Sequence, residues 1–198
     1  MFSRYKLKHI STFLIFFLIA IFSFFSHSYA LNPHLYTYAE TYPDLCFVVD
    51  GSETQQAPPF LRASNFKPGD VAEGFLILKN CGRKASTTLT IALSYSNFAD
   101  PKGDSSAESF LAVMKIEEIS IGEKRQLLWN KLSSGIEDLN GNGYVDLHDL
   151  TLSQLFVRYV IPPNETRELY MRIKFIPEAG NEFQGDKINL TFTFTIGG

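Results

Sequence analysis

Three stretches of the chain alternate apolar and polar residues with a period of two. They cover residues 88–95, 169–175 and 190–196. Successive side chains of a β-strand point to opposite faces, so each stretch predicts a strand with one face on a core and one in water. This pattern is typical of antiparallel sheets that are covered on one side.

Shorter apolar runs bounded by turn residues predict further strands. Residues 46–49 and 75–79 are continuous apolar runs, as in central strands, and residues 114–121 are mixed. Turn signals such as Asp50-Gly51 and Pro162-Pro163-Asn164 separate the runs. Many short strands with this punctuation predict an all-β fold, a jelly-roll-type antiparallel β-sandwich.

The middle of the chain, at about residues 123–156, loses the alternation. Apolar residues recur there at helical spacing, first around residues 127–132 and again around residues 152–159. We therefore expect a helix–loop–helix insertion between strands of the sandwich. The second helix should be short, because residues 156–161 also have the composition of a strand.

Residues 1–30 have the organisation of a secretory signal peptide. Three basic residues precede an apolar run at residues 10–25, and Ser28-Tyr29-Ala30 is a small-x-small signal that predicts cleavage after Ala30. The alternative is an uncleaved anchor, but the run is shorter than the roughly 20 residues of a spanning helix. Cleavage leaves a secreted or cell-surface chain, residues 31–198, with no membrane segment.

The net charge of the chain argues against one class of function, the binding of nucleic acids. The predicted cleavage leaves 15 Lys and Arg against 21 Asp and Glu, so the net charge moves from −3 to −6. A nucleic-acid binder would be basic, which argues against that class.

Cys46 and Cys81 lie in or beside predicted strands, and the compartment permits disulfides. We expect a bridge across the sandwich; the alternative is two buried free thiols.

Residues 138–149 match a twelve-residue calcium loop. Gly143 falls at the sharp turn and Val145 at the apolar packing position. Calcium takes six to eight oxygen ligands, which alternate residues of such a loop supply. The predicted ligands are the side chains at positions one, three, five, nine and twelve and the carbonyl of position seven: Asp138, Asn140, Asn142, Asp146, Asp149 and Tyr144.

Aspartate at position twelve makes the loop similar to one dockerin repeat rather than to an EF-hand, which has glutamate there. Only one repeat is present, so binding of the cohesin partner of dockerins does not carry over. Asn142 in place of aspartate lowers the ligand charge, so we expect an affinity of about 10⁻⁴–10⁻³ M. The alternative is an Asn-Gly surface turn, but a hairpin has no need of three carboxylates at these positions.

Three further motifs lie outside the insertion. FKPGD at residues 66–70 precedes a strand that ends in LKNCG at residues 78–82. PPNET at residues 162–166 precedes the penultimate strand, and NEFQGD at residues 181–186 precedes a last strand in which Thr and Phe alternate. In this order, and behind a signal peptide, they resemble the TasA/camelysin (CalY) family of secreted fibre-forming biofilm matrix proteins. The resemblance covers about residues 44–196.

The resemblance implies a jelly-roll subunit that polymerises with copies of itself into extracellular filaments of matrix or pilus type, with accessory matrix or anchoring proteins as further partners. In such fibres the N-terminal segment of one subunit completes a sheet of the next by strand addition. The matching segment here is residues 31–43, and the body of the sandwich is residues 44–198. The alternative from the residues alone is a disordered N-terminal tail.

The camelysin name carries a metalloprotease label, but no catalytic motif is visible. The mature chain has two histidines, His34 and His148, and no H-E-x-x-H pair, G-x-S-x-G elbow or phosphate-binding glycine loop. We therefore expect a structural protein and not an enzyme. The alternatives are a monomeric, calcium-stabilised adhesin or binding module, which should show an aromatic surface cluster, and, more distantly, a camelysin-like protease.

Overall fold

The protein is an all-β sandwich, as the alternation predicts, with 53% of the residues that the structure describes in strands. The computed structural model describes residues 34–41, 44–61, 66–123 and 130–198. The predicted signal peptide, residues 1–30, lies outside these ranges. Among the residues that the structure describes, no helix is both long and apolar enough to cross a membrane.

Two sheets enclose a single apolar core. The five strands of sheet A are, in spatial order, β4 (Gln56–Ala57), β1 (His34–Thr41), β11 (Lys187–Gly197), β6 (Ser86–Ala99) and β9 (Leu155–Ile161). The six strands of sheet B are, in the same sense, β3 (Ser52–Thr54), β2 (Leu45–Val49), β5 (Val71–Asn80), β10 (Thr166–Phe175), β7 (Met114–Gly122) and β8 (Asn130–Lys131).

The apolar positions of the alternating strands fill the core. Four of the five apolar side chains of β11 are completely buried: Ile188, Leu190, Phe192 and Phe194. Phe194 meets Phe47 of sheet B edge to face, with ring centroids 5.8 Å apart. Aromatic pairs of this geometry add stability beyond the area that they bury, so they fix how the two sheets stack.

In the described ranges, two short helices and two 3₁₀ turns connect the strands: α1 (Ala107–Ala112), α2 (Leu147–Leu152), Ser133–Gly135 and Asn181–Phe183. Helix α1 was not expected from the apolar pattern. Its start is a capping box, in which the Ser106 side chain accepts from the N–H of Ser109 and the Ser109 side chain accepts from the N–H of Ser106. Serines three residues apart are the signal that could have located it.

The insertion differs from the expected helix–loop–helix. Residues 124–129 lie outside the described ranges, and residues 130–131, where the first helix was expected to continue, form β8. Lys131 pairs with Ser120 of β7, and the N–H of Leu132 donates to the carbonyl of Ile119 at 2.7 Å. The edge of β7 offers backbone partners that outweigh a weak helical pattern. A short second helix, α2, is present, but it covers residues 147–152 and not 152–159, where the helical spacing placed it, because residues 155–161 form β9.

The disulfide Cys46–Cys81 is confirmed, but its expected position across the sandwich is wrong. The two Cα atoms are 5.9 Å apart. Cys46 lies in β2 and Cys81 follows β5, and these strands are neighbours in sheet B. The N–H of Cys81 also donates to the carbonyl of Asp44 at 2.9 Å. The bond therefore joins adjacent strands of one sheet, at the end where β2 enters it.

Candidate functional site

The candidate donor segment forms β1 within its own chain. Residues 34–41 lie between β4 and β11, in a continuous parallel register with β11 that runs from His34 opposite Lys187 to Thr41 opposite Phe194. Every other strand pairing among the described residues is antiparallel. Its pairing with β11 gives β1 main-chain hydrogen bonds along its whole length.

Strand β1 presents small side chains to the core. Leu35, Thr37, Ala39 and Thr41 are buried, and the two tyrosines between them, Tyr36 and Tyr38, are 46% and 45% exposed on the outer face. Threonine and alanine bury far less apolar surface than the phenylalanines of the neighbouring β11. Since hydrophobic stabilisation scales with the buried apolar area, β1 is held mainly by its backbone and by a few polar contacts.

Beyond β1, the sheet is nearly open. Strand β4 pairs with β1 only at Ala39 and Glu40. Nearer the start of β1, the hydroxyl of Thr37 donates to the carbonyl of Leu61 at 3.0 Å and accepts from the N–H of Leu61 at 3.1 Å. Residues 58–61 therefore form a wall beside β1, and Thr37 is the side chain that binds to it.

Gly74 of β5 sets the position of that wall. A Cβ atom on Gly74 would lie 1.9 Å from the carbonyl oxygen of Phe60. The ring of Phe60 also packs edge to face on Phe192 of β11, with centroids 5.4 Å apart. The space that β1 occupies, which we call the β1 slot, is thus bounded by β11, β4 and residues 58–61.

The predicted calcium loop begins with a carboxylate that folds the turn. Asp138 accepts from the N–H groups of Gly141 at 2.7 Å, Asn142 at 3.1 Å and Gly143 at 2.8 Å. Both glycines have positive φ, 73° and 93°, a conformation that a side chain disfavours. The glycines and Asp138 together give the loop its sharp turn.

Two carboxamides of the loop converge on one buried carboxylate. The side-chain nitrogens of Asn140 and Asn142 donate to Oδ2 of Asp146 at 2.9 and 2.6 Å. Asp146 is completely buried, and this burial raises the pKa of its carboxyl above the ordinary value, against the lowering effect of the hydrogen bonds. Three of the predicted ligands therefore meet at one point.

Asp149 closes the loop from the helix side. It is completely buried and accepts from the N–H groups of Leu139 at 2.9 Å and Asn140 at 3.1 Å. It also accepts from the N–H of Asp146 at 3.0 Å, while Asp146 caps α2 by accepting from the N–H of Asp149. The capping box of α2 and positions nine and twelve of the loop are the same two residues.

The single loop pairs with the sandwich instead of with a second loop. The carbonyl of Val145 accepts from the N–H of Ile116 in β7 at 2.9 Å, and Lys115 and Asp146 form an isolated antiparallel bridge. The hydroxyl of Tyr144 donates to the carbonyl of Ala112, the last residue of α1, at 3.0 Å. Burial, with the negative charge of Asp146, raises the pKa of that hydroxyl. The sequence reveals the loop but not this anchorage on β7 and α1.

An exposed aromatic pair lies on the outer face of sheet B. Phe75 of β5 is 56% exposed, and its ring lies 4.8 Å from that of Tyr170 on β10. The Tyr170 hydroxyl donates to Glu73 at 2.6 Å, and Arg172 bridges Glu73 at 3.3 Å and Glu117 at 2.8 Å. The alternation of β10 predicts outward positions for Tyr170 and Arg172, but not this network.

The NEFQGD motif places one carboxylate inside the protein. Asp186 is completely buried; its Oδ2 accepts from the hydroxyl of Ser105 at 2.6 Å, and its Oδ1 has no hydrogen-bond partner among the described residues. Burial raises the pKa of this carboxyl, and the nearby charges of Asp100 and Asp104 raise it further. Residues 100–105 and 181–186 are linked through this contact.

The family model described as camelysin metallo-endopeptidase matches residues 55–197. This match covers more than two thirds of the chain. Together with the two-sheet all-β fold, the match defines the class to which the protein belongs. The chain belongs to the camelysin family. Its members, with the TasA-like ones, are secreted or cell-surface proteins, so this is a secreted, matrix-related protein.

Other comparisons add little. No curated protein matches the chain. A structural match is a family 123 glycoside hydrolase from Clostridium perfringens, described in a study of glycolipid glycan hydrolysis, at 12% identity and a TM-score of 0.29. The match covers 82% of this chain, which spans only 23% of that protein. At this score the likeness carries no argument about fold or function.

The residues that the structure describes do not form a site that fits the catalytic metal that the family's name implies. In the part of the chain that the structure describes, the one triad of His, Cys, Asp or Glu ligand atoms within 4.8 Å of one another is Cys46, Glu53 and Cys81. Both of its cysteines are bonded in the disulfide and supply no thiolate. The predicted loop ligands are oxygens, which suit calcium and not a peptidase zinc.

Proposed function

We propose that the protein is a structural subunit that assembles with copies of itself into extracellular filaments by donor-strand exchange. In this assembly β1 leaves its own sheet and occupies the β1 slot of the next subunit. The observation that carries the proposal is the parallel pairing of β1 with β11 along all eight residues of the strand. A second copy of β1 would make the same hydrogen bonds to β11.

The chain connectivity supports the exchange. After the predicted cleavage, three residues precede His34, so β1 can leave its slot without being drawn through a loop. At its other end, residues 42–44 lead into β2 of the opposite sheet. Short connections beside a terminal element favour exchange of that element between copies, because the native contacts are kept while new ones form.

The composition of β1 supports it as well. A strand with four small or mid-sized core side chains, Leu35, Thr37, Ala39 and Thr41, loses little apolar burial when it leaves. The two tyrosines lie on the outer face of the sheet and contribute little to this burial. The empty slot, in contrast, would expose an edge of β11 with free N–H and carbonyl groups, and such an edge binds another strand.

Electron microscopy and peptide addition test the exchange. Mature protein, residues 31–198, should form filaments, and a chain lacking residues 31–41 should not. A synthetic peptide of residues 31–42 should bind the truncated chain and raise its melting temperature without producing filaments, whereas a peptide with the same residues in scrambled order should do neither. Filaments from the truncated chain would contradict the proposal.

We also propose that residues 138–149 bind calcium. Rotation of the carboxamides of Asn140 and Asn142 would turn their oxygens toward the point where their nitrogens now meet Asp146. The carboxylates of Asp138 and Asp149 and the carbonyl of Tyr144 are the remaining ligands. A cation would then take the place of the two side-chain N–H groups that donate to Asp146 in this structure. The expected role is structural, since the loop anchors α1, α2 and β7.

Thermal unfolding with calcium tests this second proposal. At ten to a hundred times the dissociation constant, a bound ion stabilises the folded state by about 1.4–2.7 kcal/mol. The increase should be absent in Asp138→Ala and retained in Asp104→Ala, a control that removes an exposed carboxylate from another loop. An equal response of both variants would contradict a site in residues 138–149.

We infer a structural role and no peptidase activity. The support is the chemistry of the available donors: His148, in the first turn of α2, belongs to no triad of ligand atoms among the described residues. Hydrolysis of a casein substrate by the mature protein, measured with added zinc, should equal the buffer rate. Zinc-dependent hydrolysis that disappears in His148→Ala would contradict this inference.

A further inference from the structure

One position of the β1 slot is polar. Leu61 is 1% exposed, and both of its main-chain groups bond to the hydroxyl of Thr37: the N–H donates to it at 3.1 Å, and the carbonyl accepts from it at 3.0 Å. Thr37 is itself completely buried. A buried N–H or carbonyl without a partner is unfavourable, because burial removes the water that would otherwise bond to it. A strand that fills the slot must therefore satisfy these two groups of Leu61.

The chemistry of the two groups restricts the side chain that can satisfy them. One group is a donor and the other is an acceptor, and a hydroxyl is a small group that bonds to both at once. Ionised carboxylates only accept, ammonium groups only donate, and apolar side chains do neither. A carboxamide has both functions but is longer, and the oxygen of Thr37 already lies at bonding distance from both atoms. The position therefore favours threonine or serine.

The groups of Leu61 are held in place by the residue before it. The carbonyl oxygen of Phe60 would lie 1.9 Å from a Cβ atom on Gly74 of β5, and the Phe60 ring packs on Phe192 of β11. Residue 60 thus contacts both sheets, and the wall cannot withdraw from a strand that fails to bond to it.

The hydroxyl also distinguishes registers that the alternation of β1 does not. Alternate side chains of a strand share a face, so a slip of two residues keeps the same face of β1 on the core. Such a slip would bring Leu35 or Ala39 to Leu61, and neither side chain donates or accepts. Thr41 would reach Leu61 only after a slip of four, which removes half of the eight pairs with β11. Full pairing and a satisfied Leu61 therefore occur together only in the observed register.

We propose that the main-chain groups of Leu61 select the strand that enters the β1 slot of a neighbouring subunit. This inference rests on the strand exchange proposed above and gives its specificity: leucine, then a hydroxyl two residues later, then alanine after two more. The alanine position is narrow, since Ala39 is opposed by Ala57 of β4 and both are buried. In this chain only residues 35–39 have the pattern Leu-x-Thr-x-Ala. The occupant that fits is therefore β1 of a second copy.

Binding of free peptides to the mature protein tests the selection. The receptor is the chain of residues 31–198 with Thr37→Val, because its own β1 is then easier to displace. The probes are fluorescent peptides of residues 31–42, either unchanged or with Thr37→Ser or Thr37→Val, and fluorescence anisotropy measures their dissociation constants. The unchanged peptide should bind best, and the Thr37→Val peptide should bind about tenfold more weakly or worse.

The order of the peptides separates hydrogen bonding from simple burial. Serine buries less apolar surface than valine, so burial alone would favour the Thr37→Val peptide over the Thr37→Ser peptide. Selection by Leu61 predicts the reverse. Binding of Thr37→Val at least as tight as that of Thr37→Ser would overturn the proposal, and so would a failure of all three peptides to bind. The wild-type receptor should give the same order at higher peptide concentrations, so the test does not depend on the folding of the variant receptor.

The matched control is Thr41→Val in the same peptide. The Thr41 hydroxyl lies 3.4 Å from the carbonyl of Gln55, which also accepts from the N–H of Thr41 at 2.9 Å. That carbonyl keeps a partner in the variant, so the loss of affinity should be less than about threefold. Equal losses for Thr37→Val and Thr41→Val would overturn the proposal.

Electron microscopy of the wild-type protein distinguishes this inference from the exchange on which it rests. Filaments together with the wrong peptide order would reject selection by Leu61 alone. The predicted peptide order without filaments would reject exchange between copies and support the selectivity of the slot.

Discussion

Two neighbouring strands of sheet A, β1 and β11, pair in a continuous register but differ in their other neighbours, in their buried side chains and in their connection to the chain. Strand β11 is paired on both sides and buries four large apolar side chains. Strand β1 buries small or mid-sized side chains, meets a two-residue strand on its other side and, after the predicted cleavage, is joined to the sandwich at one end. The difference separates an element that holds the sandwich together from one that can be replaced by a copy of itself.

The same difference lowers the solubility of the monomer and favours its assembly. Among the strands described, β1 protects the edge of β11 with hydrogen bonds and little core packing. A subunit whose β1 has left exposes a strand edge, and exposed edges lead to association between chains. In a protein of a secreted, matrix-related family, such association is the proposed function rather than a failure of folding.

The largest expected effect comes from β11. Phe194→Ala removes a completely buried ring that packs on Phe47, and we expect a loss of about 3–5 kcal/mol in the free energy of unfolding. Leu35→Ala in β1 should cost about 2 kcal/mol, the lower limit for such a change. Urea unfolding of both variants measures the contrast. Equal losses would mean that β1 holds the sandwich as firmly as β11 does.

The next effect concerns the wall of the β1 slot. Gly74→Ala places a Cβ atom against the carbonyl of Phe60, and a backbone atom cannot move as a flexible side chain does. We expect a loss of about 3 kcal/mol, the upper limit for overpacking, with poorer binding of the peptide of residues 31–42. Gly51→Ala offers a comparison, because no atom lies within 4 Å of its Cβ position, although its φ is positive. A stable Gly74→Ala protein that binds the peptide normally would show that the wall does not define the slot.

A smaller effect should come from the one side chain that ties β1 to that wall. Thr37→Val keeps the shape but leaves the N–H and carbonyl of Leu61 without this partner, at a cost of about 1–2 kcal/mol. Hydrogen exchange should then speed up in residues 34–41 and in the β11 amides that face β1, and stay unchanged in the β11 amides that face β6. Uniformly faster exchange across sheet A would indicate that β1 does not open separately.

The smallest effect is a pH dependence at Asp186, the residue that precedes β11. The folded-state pKa of Asp186 is raised above its ordinary value of 3.8, so the folded protein holds this proton more tightly than the unfolded chain does. Its contribution to stability therefore falls as the pH rises from 3.8 through the raised value. The unfolding free energy of Asp186→Asn, relative to the wild type, should increase across that range. Parallel pH profiles of the two proteins would contradict this assignment.

The sequence predicts β11 well and β1 poorly for a physical reason. In β11 the apolar residues alternate with threonine and asparagine, so the buried face is evident. In β1 the larger aromatic residues, Tyr36 and Tyr38, point outward, while Thr37 and Thr41 face the core. Hydropathy therefore suggests the wrong face. The parallel partner lies about 150 residues further along the chain, and no local pattern encodes that pairing.

The candidate calcium loop, too, is predictable from the sequence in one respect and not in another. Its spacing of carboxylates, carboxamides and glycines is visible from Asp138 to Asp149, because the turn requires each residue type at a fixed position. Its anchorage on Ile116 and Ala112 depends on how two distant elements pack and leaves no trace in the loop itself. For the first expected helix, the free edge of β7 decided the structure of residues 130–132.

The most direct test of donor-strand exchange is a cysteine cross-link between β1 and β11. Glu40 and Thr193 are opposed on the outer face of sheet A, with Oε1 and Oγ1 3.1 Å apart. Glu40→Cys with Thr193→Cys should form a disulfide in assembled filaments, and denaturing electrophoresis should resolve a ladder of covalent multimers. The control pair Thr90→Cys with Thr195→Cys, opposed on β6 and β11, should give only monomers. A ladder confined to the first pair is the predicted result; monomers from both pairs would show that β1 stays in its own subunit and would contradict the account.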